Sequence, residues 1–466
     1  MGTVSIIHYN HNADSIVSAA GRISTTQGSA DEIYQKSVDR EKESNVKLIH
    51  KILSSGHESV IEHINLNLSF DDVSVFVEQF MIEFRLASFT VKSRRYVDFG
   101  AMGYYAPDFS GYDGEKAEYI QDKYHKHMQY LFDEYNYFIQ AGIPKEDARF
   151  VLPYSFKSNF YCTLNARELI KIMNEMVYGR GKDYPELVKL GESLFAQCEE
   201  QLPFIAVKKS RGADSDIKDY LARNIHNQAE TEADEEPLVT LVNGPANPEE
   251  MICQAAVLNY GCLKGKRLEE IQFSDDQQRH IIKELLRQPR KRELEQVNFT
   301  IGFHNVSLAG ITHLVRHRMQ SIIIPEYISS CRFTQYVVPD SIVKAGLKER
   351  YREVFTRSGQ VDEELRTAGI YQYDRVYLLL SGLGILVMTT MNAHELVTFM
   401  SLRTCNRAQW EIKEYGDELL RILRKKHPAL FSLFGPTCFM TGKCSEGKMT
   451  CGKMQEVYKS YSAEEC

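Results

Sequence analysis

Three consecutive basic residues in the second half of the chain have the composition of an anion-binding site. Arg316, His317 and Arg318 are followed by Ser321 and then by the run Ser330-Cys331-Arg332-Phe333. Guanidinium groups chelate phosphate oxygens and the oxygens of uracil-like rings, and they stack on such rings. The cluster therefore indicates a ligand that is both phosphorylated and planar. Taken alone, a cationic helix end that offsets the macrodipole, without any catalytic role, explains it at least as well.

The elements that must position this cluster occur twice in the chain. INLNLSFDDVSVFVEQFMIEFRLAS, from Ile64, aligns with VNFTIGFHNVSLAGITHLVRHRMQS, from Val297, and TLNARELIKIMNEM, from Thr163, aligns with TMNAHELVTFMSLR, from Thr390. The order of the segments is preserved, and loops that gained or lost residues explain the small change in spacing. The chain therefore contains two homologous lobes.

Hydrophobic periodicity predicts the same elements in both lobes. Apolar residues alternate with polar ones from Ile64 to Phe70 and again from Val297 to Phe303, which is typical of a strand with one buried face. Amphipathic helices are predicted over 73–84 and 307–318, and long helices over 115–141 and 341–355. We expect a mixed α/β (α+β) fold, in which each lobe is a mixed sheet flanked by long helices. The expected divisions are a first lobe at 1–210, an acidic linker at 211–237, a second lobe at 238–436 and a cysteine-containing tail at 437–466.

Composition excludes several classes of protein. Of the 466 residues, 43% are hydrophobic and 26% are charged, which is the balance of a globular protein. The formal net charge of −7 provides no basic field for nucleic acid. The N-terminus lacks the pattern of a signal peptide, and no apolar run approaches the ~18 residues needed to cross a bilayer. We therefore expect a cytoplasmic enzyme or binding protein with no membrane partner.

Further motifs accompany the basic cluster in the same order in which one enzyme family has them. The first lobe contains Gly56-His57-Glu58-Ser59-Val60-Ile61-Glu62-His63, Ser93-Arg94-Arg95-Tyr96, Ala148-Arg149-Phe150-Val151-Leu152-Pro153 and Asn165-Ala166-Arg167-Glu168-Leu169. The second lobe contains the basic triplet, Ser330-Cys331-Arg332, Asn392-Ala393-His394-Glu395-Leu396, Leu402-Arg403 and Ala408-Gln409-Trp410-Glu411-Ile412. Both lobes resemble the flavin-dependent thymidylate synthases over nearly their whole length. The resemblance implies a tetrameric arrangement of lobes, here a homodimer of the two-lobe chain, with flavin sites at the junctions.

The resemblance also implies the reaction and its co-substrates. Reduced FAD supplies a hydride, methylenetetrahydrofolate supplies the carbon that becomes the C5 methyl group of dUMP, and NAD(P)H is the expected reductant. The protein must hold the flavin ring against the pyrimidine, bind the phosphate and stabilise negative charge on the uracil.

The two lobes depart from the family pattern in complementary ways. The first lobe has Glu83-Phe84-Arg85 in place of the basic triplet and Met176 in place of Arg403, whereas the second lobe has lost the His-Glu element and has His394 in place of Arg167. We therefore expect one composite active site per pair of lobes. The resemblance assigns catalysis to Arg316, His317, Arg318 and Arg403; cofactor binding to His57, Ser59, Glu62, Asn165 and Arg167 together with the triplet; and substrate binding to Ser93, Arg95, Arg149, His313 and Arg403.

Two positions leave the substrate open. Val91 stands where the family has a glutamate, and His313 stands where it has a glutamine. Another uridine nucleotide, such as UMP, is therefore an alternative substrate, and a catalytically inactive nucleotide-binding homologue is an alternative function.

The tail lies outside the family resemblance. Cys438, Cys444 and Cys451 could present thiolates to zinc, with His427 or Cys466 as a fourth ligand. Their spacing is not the paired C-x-x-C of zinc ribbons, and a flexible, redox-active thiol tail is the other explanation.

Overall fold

The computed structural model describes residues 2–205, 217–225 and 237–462. In the first lobe the strands are β1 (Thr3–Tyr9), β2 (Asn65–Ser74), β3 (Ser88–Val91) and β4 (Lys157–Asn165). Its helices are α1 (Ala13–Arg22), α2 (Ala30–Val38), α3 (Lys42–Ser54), α4 (Val75–Ile82), α5 (Gly114–Gln140), α6 (Lys145–Ala148), α7 (Ala166–Val177) and α8 (Pro185–Gln201), and α9 (Ile217–Asn224) follows.

The second lobe has strands β5 (Val239–Asn243), β6 (Asn298–Ser307), β7 (Ser321–Ile323) and β8 (Gly384–Asn392). Its helices are α10 (Pro248–Asn259), α11 (Asp275–Arg287), α12 (Leu308–Leu314), α13 (Tyr327–Ser330), α14 (Asp340–Lys344), α15 (Lys348–Ala368), α16 (Ala393–Arg403), α17 (Trp410–Lys426), α18 (Pro428–Phe431), α19 (Thr437–Thr441) and α20 (Met454–Ser462). Short 3-10 helices occur at Glu58–His63, Phe109–Gly111, Arg149–Val151, Leu268–Glu270, Arg292–Gln296, Gln372–Leu378 and Gly447–Met449.

The strands of the described residues form two sheets with the same topology. The first has the order β1-β2-β4-β3 and the second the order β5-β6-β8-β7, and all strand pairs are antiparallel. On β2, Leu66, Leu68 and Phe70 are fully buried, as the alternating pattern predicts. The mixed α/β fold with two homologous lobes is therefore confirmed. The expectation of a mixed sheet in each lobe is wrong, because the described residues of both sheets form only antiparallel strand pairs.

The central strand of each sheet carries the same local irregularity. The pairing of β2 with β4 is interrupted between Phe70 and Val73, where Asp72 has a φ of 54°, and the pairing of β6 with β8 is interrupted between Phe303 and Val306. Asn305, the residue that aligns with Asp72, also has a φ of 54°. Asp and Asn tolerate the left-handed region better than other non-glycine residues, so each lobe bends its strand at the same point.

A buried glutamate fixes the end of each bent strand. Glu186 accepts hydrogen bonds from the backbone nitrogen and hydroxyl of Ser74 at 2.9 and 2.6 Å. Glu411 accepts the same two bonds from Ser307 at 2.7 and 2.6 Å. Each serine also caps the following helix, α4 or α12, through its hydroxyl. The glutamate of the Ala-Gln-Trp-Glu-Ile motif thus has a structural counterpart in the first lobe.

The compact units of the structure do not coincide with the two halves of the sequence. One unit comprises Met1–Thr231 and Val338–Gly382, and the other comprises Glu232–Val337 and Leu383–Cys466. Helix α15, which is second-lobe by sequence, packs against α5 in the first unit, where Arg350 makes two hydrogen bonds of 2.7 and 2.8 Å to Glu134. The expected lobe boundaries stay a prediction, and the expected linker at 211–237 lies mostly outside the described residues.

Three helix expectations need correction. The helix expected over 307–318 ends at Leu314, so the basic triplet lies in the turn that follows it. The helix expected over 73–84 spans Val75–Ile82. The helix expected over 341–355 is two helices, α14 and α15, separated at Gly346, whose φ of 70° does not continue a right-handed helix. No helix in the part of the chain that the structure describes has the length and apolar character required to span a bilayer.

Candidate functional site

The basic triplet occupies a tight turn held by backbone hydrogen bonds. The backbone nitrogen of His317 donates to the carbonyl of Leu314 at 3.1 Å. The Gln320 side chain donates to the same carbonyl at 2.5 Å and accepts from the hydroxyl of Thr389 on β8 at 2.7 Å. As a result the His317 ring is buried, with 4% exposure, while Arg316 and Arg318 on either side are exposed.

A chain of short hydrogen bonds joins His317 to both ends of α16. Nδ1 of His317 lies 2.9 Å from Oε1 of Glu395, in the first turn of the helix. Nε of Arg403, at the last helical position, donates to Nε2 of His317 at 2.8 Å, and a second guanidinium nitrogen donates to the carbonyl of His313 at 2.9 Å. The structure therefore brings His313, His317 and Arg403, all three expected from the sequence, into direct contact.

At neutral pH the charged Arg403 lies beside a neutral His317 ring. Burial lowers the pKa of His317, and although Glu395 raises it, the net shift is downward. Burial and the charge of Arg316 lower the pKa of Arg403 to about 10, which still leaves the guanidinium protonated at neutral pH. A partly buried cation with a second cation nearby is suited to an anionic oxygen or an anionic ring.

The equivalent position in the first lobe is filled with apolar side chains. Phe84 and Met176, which align with His317 and Arg403, are 6% and 0% exposed. Glu83, which aligns with Arg316, pairs with Arg180 at 2.8 Å, and the Arg180 guanidinium lies 5.1 Å from the centre of the Phe80 ring. This position has lost the imidazole and the guanidinium together.

A glycine lies against Arg403 and has a counterpart in the first lobe. A Cβ on Gly416, in α17, would meet the carbonyl carbon and oxygen of Arg403 at 3.1 Å. A Cβ on Gly191, in α8, would meet the Cβ of Met176 at 3.0 Å. The absence of a side chain at both positions lets the end of the preceding helix approach closely.

The residues expected to bind phosphate form a second cluster, within the first unit. Nε of Arg95 lies 3.2 Å from Oε1 of Glu146, and Nε of Arg149 donates to the carbonyl of Glu146 at 3.0 Å. The hydroxyl of Ser93 accepts from the backbone nitrogen of Arg95 at 3.3 Å. Burial raises the pKa of Glu146, while the two arginines oppose that shift. Both arginines contact Glu146, and the Ser93 hydroxyl lies beside Arg95. Two guanidinium groups and a hydroxyl in this arrangement can bind a phosphate group.

The second lobe differs from the first at the positions of these arginines. Val376 occupies the position of Arg149, and the preceding Arg375 makes two hydrogen bonds of 2.8 and 2.6 Å to Asp362. Arg332, which aligns with Arg95, donates to the carbonyls of Ser329 and Cys331 at 2.8 and 3.0 Å. The two lobes thus differ in these contacts.

The residues assigned to FAD in the first lobe lie around the start of α7. Arg167 pairs with Glu62 at 2.5 Å, and the Asn165 side chain caps the helix by accepting from the backbone nitrogen of Glu168 at 2.9 Å. His57 and Ser59 are exposed. In the second lobe His394 replaces Arg167 and lies 3.3 Å from Glu295.

Each lobe, taken by itself, has exposed guanidinium groups whose chemistry suits a pyrophosphate such as that of FAD. Arg167 is exposed at the first turn of α7, and Arg316 and Arg318 are exposed in the turn after α12. Guanidinium forks match the geometry of pyrophosphate oxygens, and a helix N-terminus adds a favourable dipole. The residues present are therefore compatible with the cofactor that the resemblance implies.

The zinc expectation for the tail finds no support in the geometry. Within residues 2–205, 217–225 and 237–462, no group of three or more histidine, cysteine or acidic side chains is arranged to hold a metal ion. Cys438, Cys444 and Cys451 are free thiols, and burial raises the pKa of Cys438. Cys466 lies outside the described residues.

Sequence reasoning did not assign Glu395 to the site. It is buried, with 6% exposure, and contacts His317 directly. A signal was present, because residues eight positions apart share one face of a helix, and Glu395 precedes Arg403 by that spacing.

Comparisons with known proteins agree with these observations. A model of the family described as "Thymidylate synthase complementing protein" matches residues 5–204 and 240–429. The chain is similar to a flavin-dependent thymidylate synthase from Geobacter sulfurreducens, with 32% identity over 48% of this chain and 97% of that protein. It is also similar to flavin-dependent thymidylate synthases from Clostridium tetani (28% identity, 48% and 96% coverage) and Pyrococcus furiosus (31% identity, 45% and 89% coverage).

One solved structure also matches part of the chain. A UMP/dUMP methylase, PolB from Streptomyces cacaoi, bound with 5-Br dUMP, has 22% identity and a TM-score of 0.37 over 46% of this chain and 98% of that chain. Structural similarity with a TM-score of 0.37 does not indicate which substrate this chain uses. The two matched family regions cover most of the chain, and the chain therefore belongs to the thymidylate synthase complementing protein family, in a tandem form with two copies of the family unit.

Proposed function

We propose that this protein transfers a one-carbon unit from methylenetetrahydrofolate to C5 of dUMP and reduces it to a methyl group, with FAD as the redox cofactor and NAD(P)H as the reductant. The observation that carries the proposal is the chain of hydrogen bonds Glu395–His317–Arg403 in the second lobe. It combines the expected imidazole and guanidinium in a family whose members named above are flavin-dependent thymidylate synthases.

The roles follow from charge and burial. Arg403, with Arg316 nearby, faces the pyrimidine and favours its anionic form, because a fixed cation in a partly desolvated position stabilises developing charge. Ser93, Arg95 and Arg149 bind the nucleotide phosphate, and His317 and Arg318 contact the flavin ring or the folate entrance. When bound, FAD supplies the hydride that completes the methyl group. His57, Ser59, Glu62, Asn165 and Arg167 hold the rest of that cofactor.

We further propose that each chain carries one functional set of residues. The second lobe retains the imidazole and the guanidinium that the first has replaced with Phe84 and Met176, and the first lobe retains Arg167 where the second has His394. One FAD per chain, measured from the flavin absorbance of the purified protein, is the expected stoichiometry. Two FAD per chain would contradict it.

The reaction is tested with purified protein, FAD, NADPH and methylenetetrahydrofolate, with dUMP and UMP supplied separately. Chromatography should show dTMP formed from dUMP at a rate well above that of 5-methyl-UMP from UMP. The opposite preference would make UMP the substrate of the same site. Protein that takes up no FAD and forms neither product would refute the proposed function and leave a nucleotide-binding homologue.

The oligomeric state provides a separate test. We propose a homodimer, so that two chains supply four lobes. Light scattering should then give twice the chain mass of 53.6 kDa. A monomer that is fully active would contradict this proposal.

A further inference from the structure

We propose that Glu395 is a positioning residue for the candidate site, because it fixes the tautomer of His317 and thereby the orientation of the Arg403 guanidinium. This inference rests on the proposed function for its consequence in catalysis. The geometry that supports it lies entirely within the second lobe and is independent of the substrate.

The direction of each hydrogen bond follows from the chemistry of the donors. An arginine guanidinium has only donors, so the 2.8 Å contact from Arg403 requires a lone pair on Nε2 of His317. A neutral imidazole then carries its proton on Nδ1, and that proton points to the carboxylate of Glu395 at 2.9 Å. Burial lowers the pKa of His317, which agrees with a neutral ring. Glu395 thus selects the one tautomer that can accept from Arg403.

Glu395 is itself held at a defined position. Its backbone nitrogen donates to the side chain of Asn392, the cap of α16, at 2.8 Å. Its side chain is buried, so its carboxylate is shielded from competing water. A second guanidinium nitrogen of Arg403 donates to the carbonyl of His313 at 2.9 Å. With two of its donor positions committed in this way, Arg403 keeps one orientation, and its remaining donors are available to an anionic ligand.

The first lobe provides a natural comparison. Glu168 occupies the aligned position, is 5% exposed, and has its backbone nitrogen bonded to the capping Asn165 in the same way. The aligned partners, however, are Phe84 and Met176, which have no ring nitrogen and no guanidinium. A carboxylate in the first turn of the helix is favourable in both lobes. Only in the second lobe does it contact an imidazole whose tautomer it can determine.

The experiment compares Glu395→Ala and Glu395→Gln with the matched control Glu168→Ala. Protein labelled with 15N-histidine reports the tautomer of each imidazole by NMR, and the His317→Gln variant identifies the His317 signal among the 14 histidines. Unaltered protein and Glu168→Ala should show the Nδ1–H tautomer. Glu395→Ala should lose that single form, and Glu395→Gln should retain it in part, because the amide oxygen can still accept.

Nucleotide binding gives the second readout. Calorimetric titration of the FAD-loaded protein should show dUMP affinity reduced by about 10- to 100-fold in Glu395→Ala, the range for loss of a hydrogen bond to a charged group. The reduction should be smaller in Glu395→Gln and at most about twofold in Glu168→Ala. If Glu395→Ala does not fold, the isosteric Glu395→Gln decides the question by the same two measurements.

The possible results separate this inference from the proposed function. Retention of the Nδ1–H tautomer and of dUMP affinity in both Glu395 variants overturns the inference, as does an equal loss of affinity in Glu168→Ala. Unaltered protein that methylates neither dUMP nor UMP would refute the proposed function, while the tautomer measurement would still decide the role of Glu395.

Discussion

Replacement of Arg403 by methionine gives the second lobe the residue that the first lobe has at the aligned position. Met176 is fully buried at the end of α7, so a methionine fits the end of a helix with this surrounding architecture. The variant removes the donors to His317 and to the carbonyl of His313 while keeping an unbranched side chain of similar length. We therefore expect a folded protein that has lost its fixed cation.

The expected effects on stability and on activity differ in size. A buried Nε2 of His317 without a donor costs about 1–3 kcal/mol, but removal of a desolvated guanidinium offsets part of that cost. The free energy of unfolding should therefore change by no more than about 2 kcal/mol. Loss of a cation that stabilises negative charge in the transition state costs about 2.7–4 kcal/mol, which corresponds to a fall of about 100- to 1,000-fold in kcat/KM.

The assay measures kcat/KM for dUMP together with unfolding in urea, and Met176→Leu serves as the matched control. That substitution alters the aligned residue of the first lobe and should leave kcat/KM within about twofold. A kcat/KM of folded Arg403→Met within about threefold of that of the unaltered protein would contradict a role for this guanidinium in the reaction. The prediction would also fail if Met176→Leu reduced activity as much as Arg403→Met.

Three further outcomes are expected. Gly416→Ala should lower kcat/KM at least about tenfold, because the added Cβ would press on the Arg403 backbone. Gly191→Ala adds a Cβ beside Met176 in the first lobe and should leave the activity of the folded protein unchanged. Equal losses of kcat/KM in the two variants would contradict this prediction. Burial lowers the pKa of His127 to about 3, so its contribution to stability is present above pH 6.5 and is lost as the pH falls. Between pH 7 and pH 5 the free energy of unfolding should fall by about 2 kcal/mol for this reason. Urea unfolding of His127→Phe should show a fall that is smaller by this amount. A double-mutant cycle of Glu411→Ala and Ser307→Ala, measured by urea unfolding, should give a coupling energy of about 1–3 kcal/mol. If the two changes in the free energy of unfolding are additive, Glu411 does not stabilise the start of α12 through Ser307.

The regular elements could be predicted from the sequence because their signals are local. Alternation along β2 and β6 follows from the burial of one face, and the helix expected over 115–141 is present as Gly114–Gln140. The end of α12 was placed too late because the amphipathic pattern continues past Leu314. The turn is instead set by the Gln320 side chain, which bonds to the carbonyl of Leu314, and no periodicity encodes that contact.

The sequence predicts several residues of the candidate site but not the contacts between them. The triplet, His313 and Arg403 were expected from motifs, and the structure brings His313, His317 and Arg403 into contact. Glu395 was not expected as part of the site, since a motif records that a residue is present but not which neighbour it faces. The packing of 338–382 with the first unit was equally hidden, because it depends on contacts between helices that are distant in sequence.

That packing has a consequence for attempts to dissect the molecule. Helix α5 is covered by α15 through the Arg350–Glu134 pair and through Arg357, whose guanidinium lies 3.8 Å from the centre of the Tyr130 ring. A fragment that stops at residue 210 would leave this side of α5 open to water and prone to aggregation. We expect the separately synthesised fragments 1–210 and 238–466 to accumulate in soluble form only when both are made in the same cell. The reason is that α15, which belongs to fragment 238–466, covers α5 of fragment 1–210.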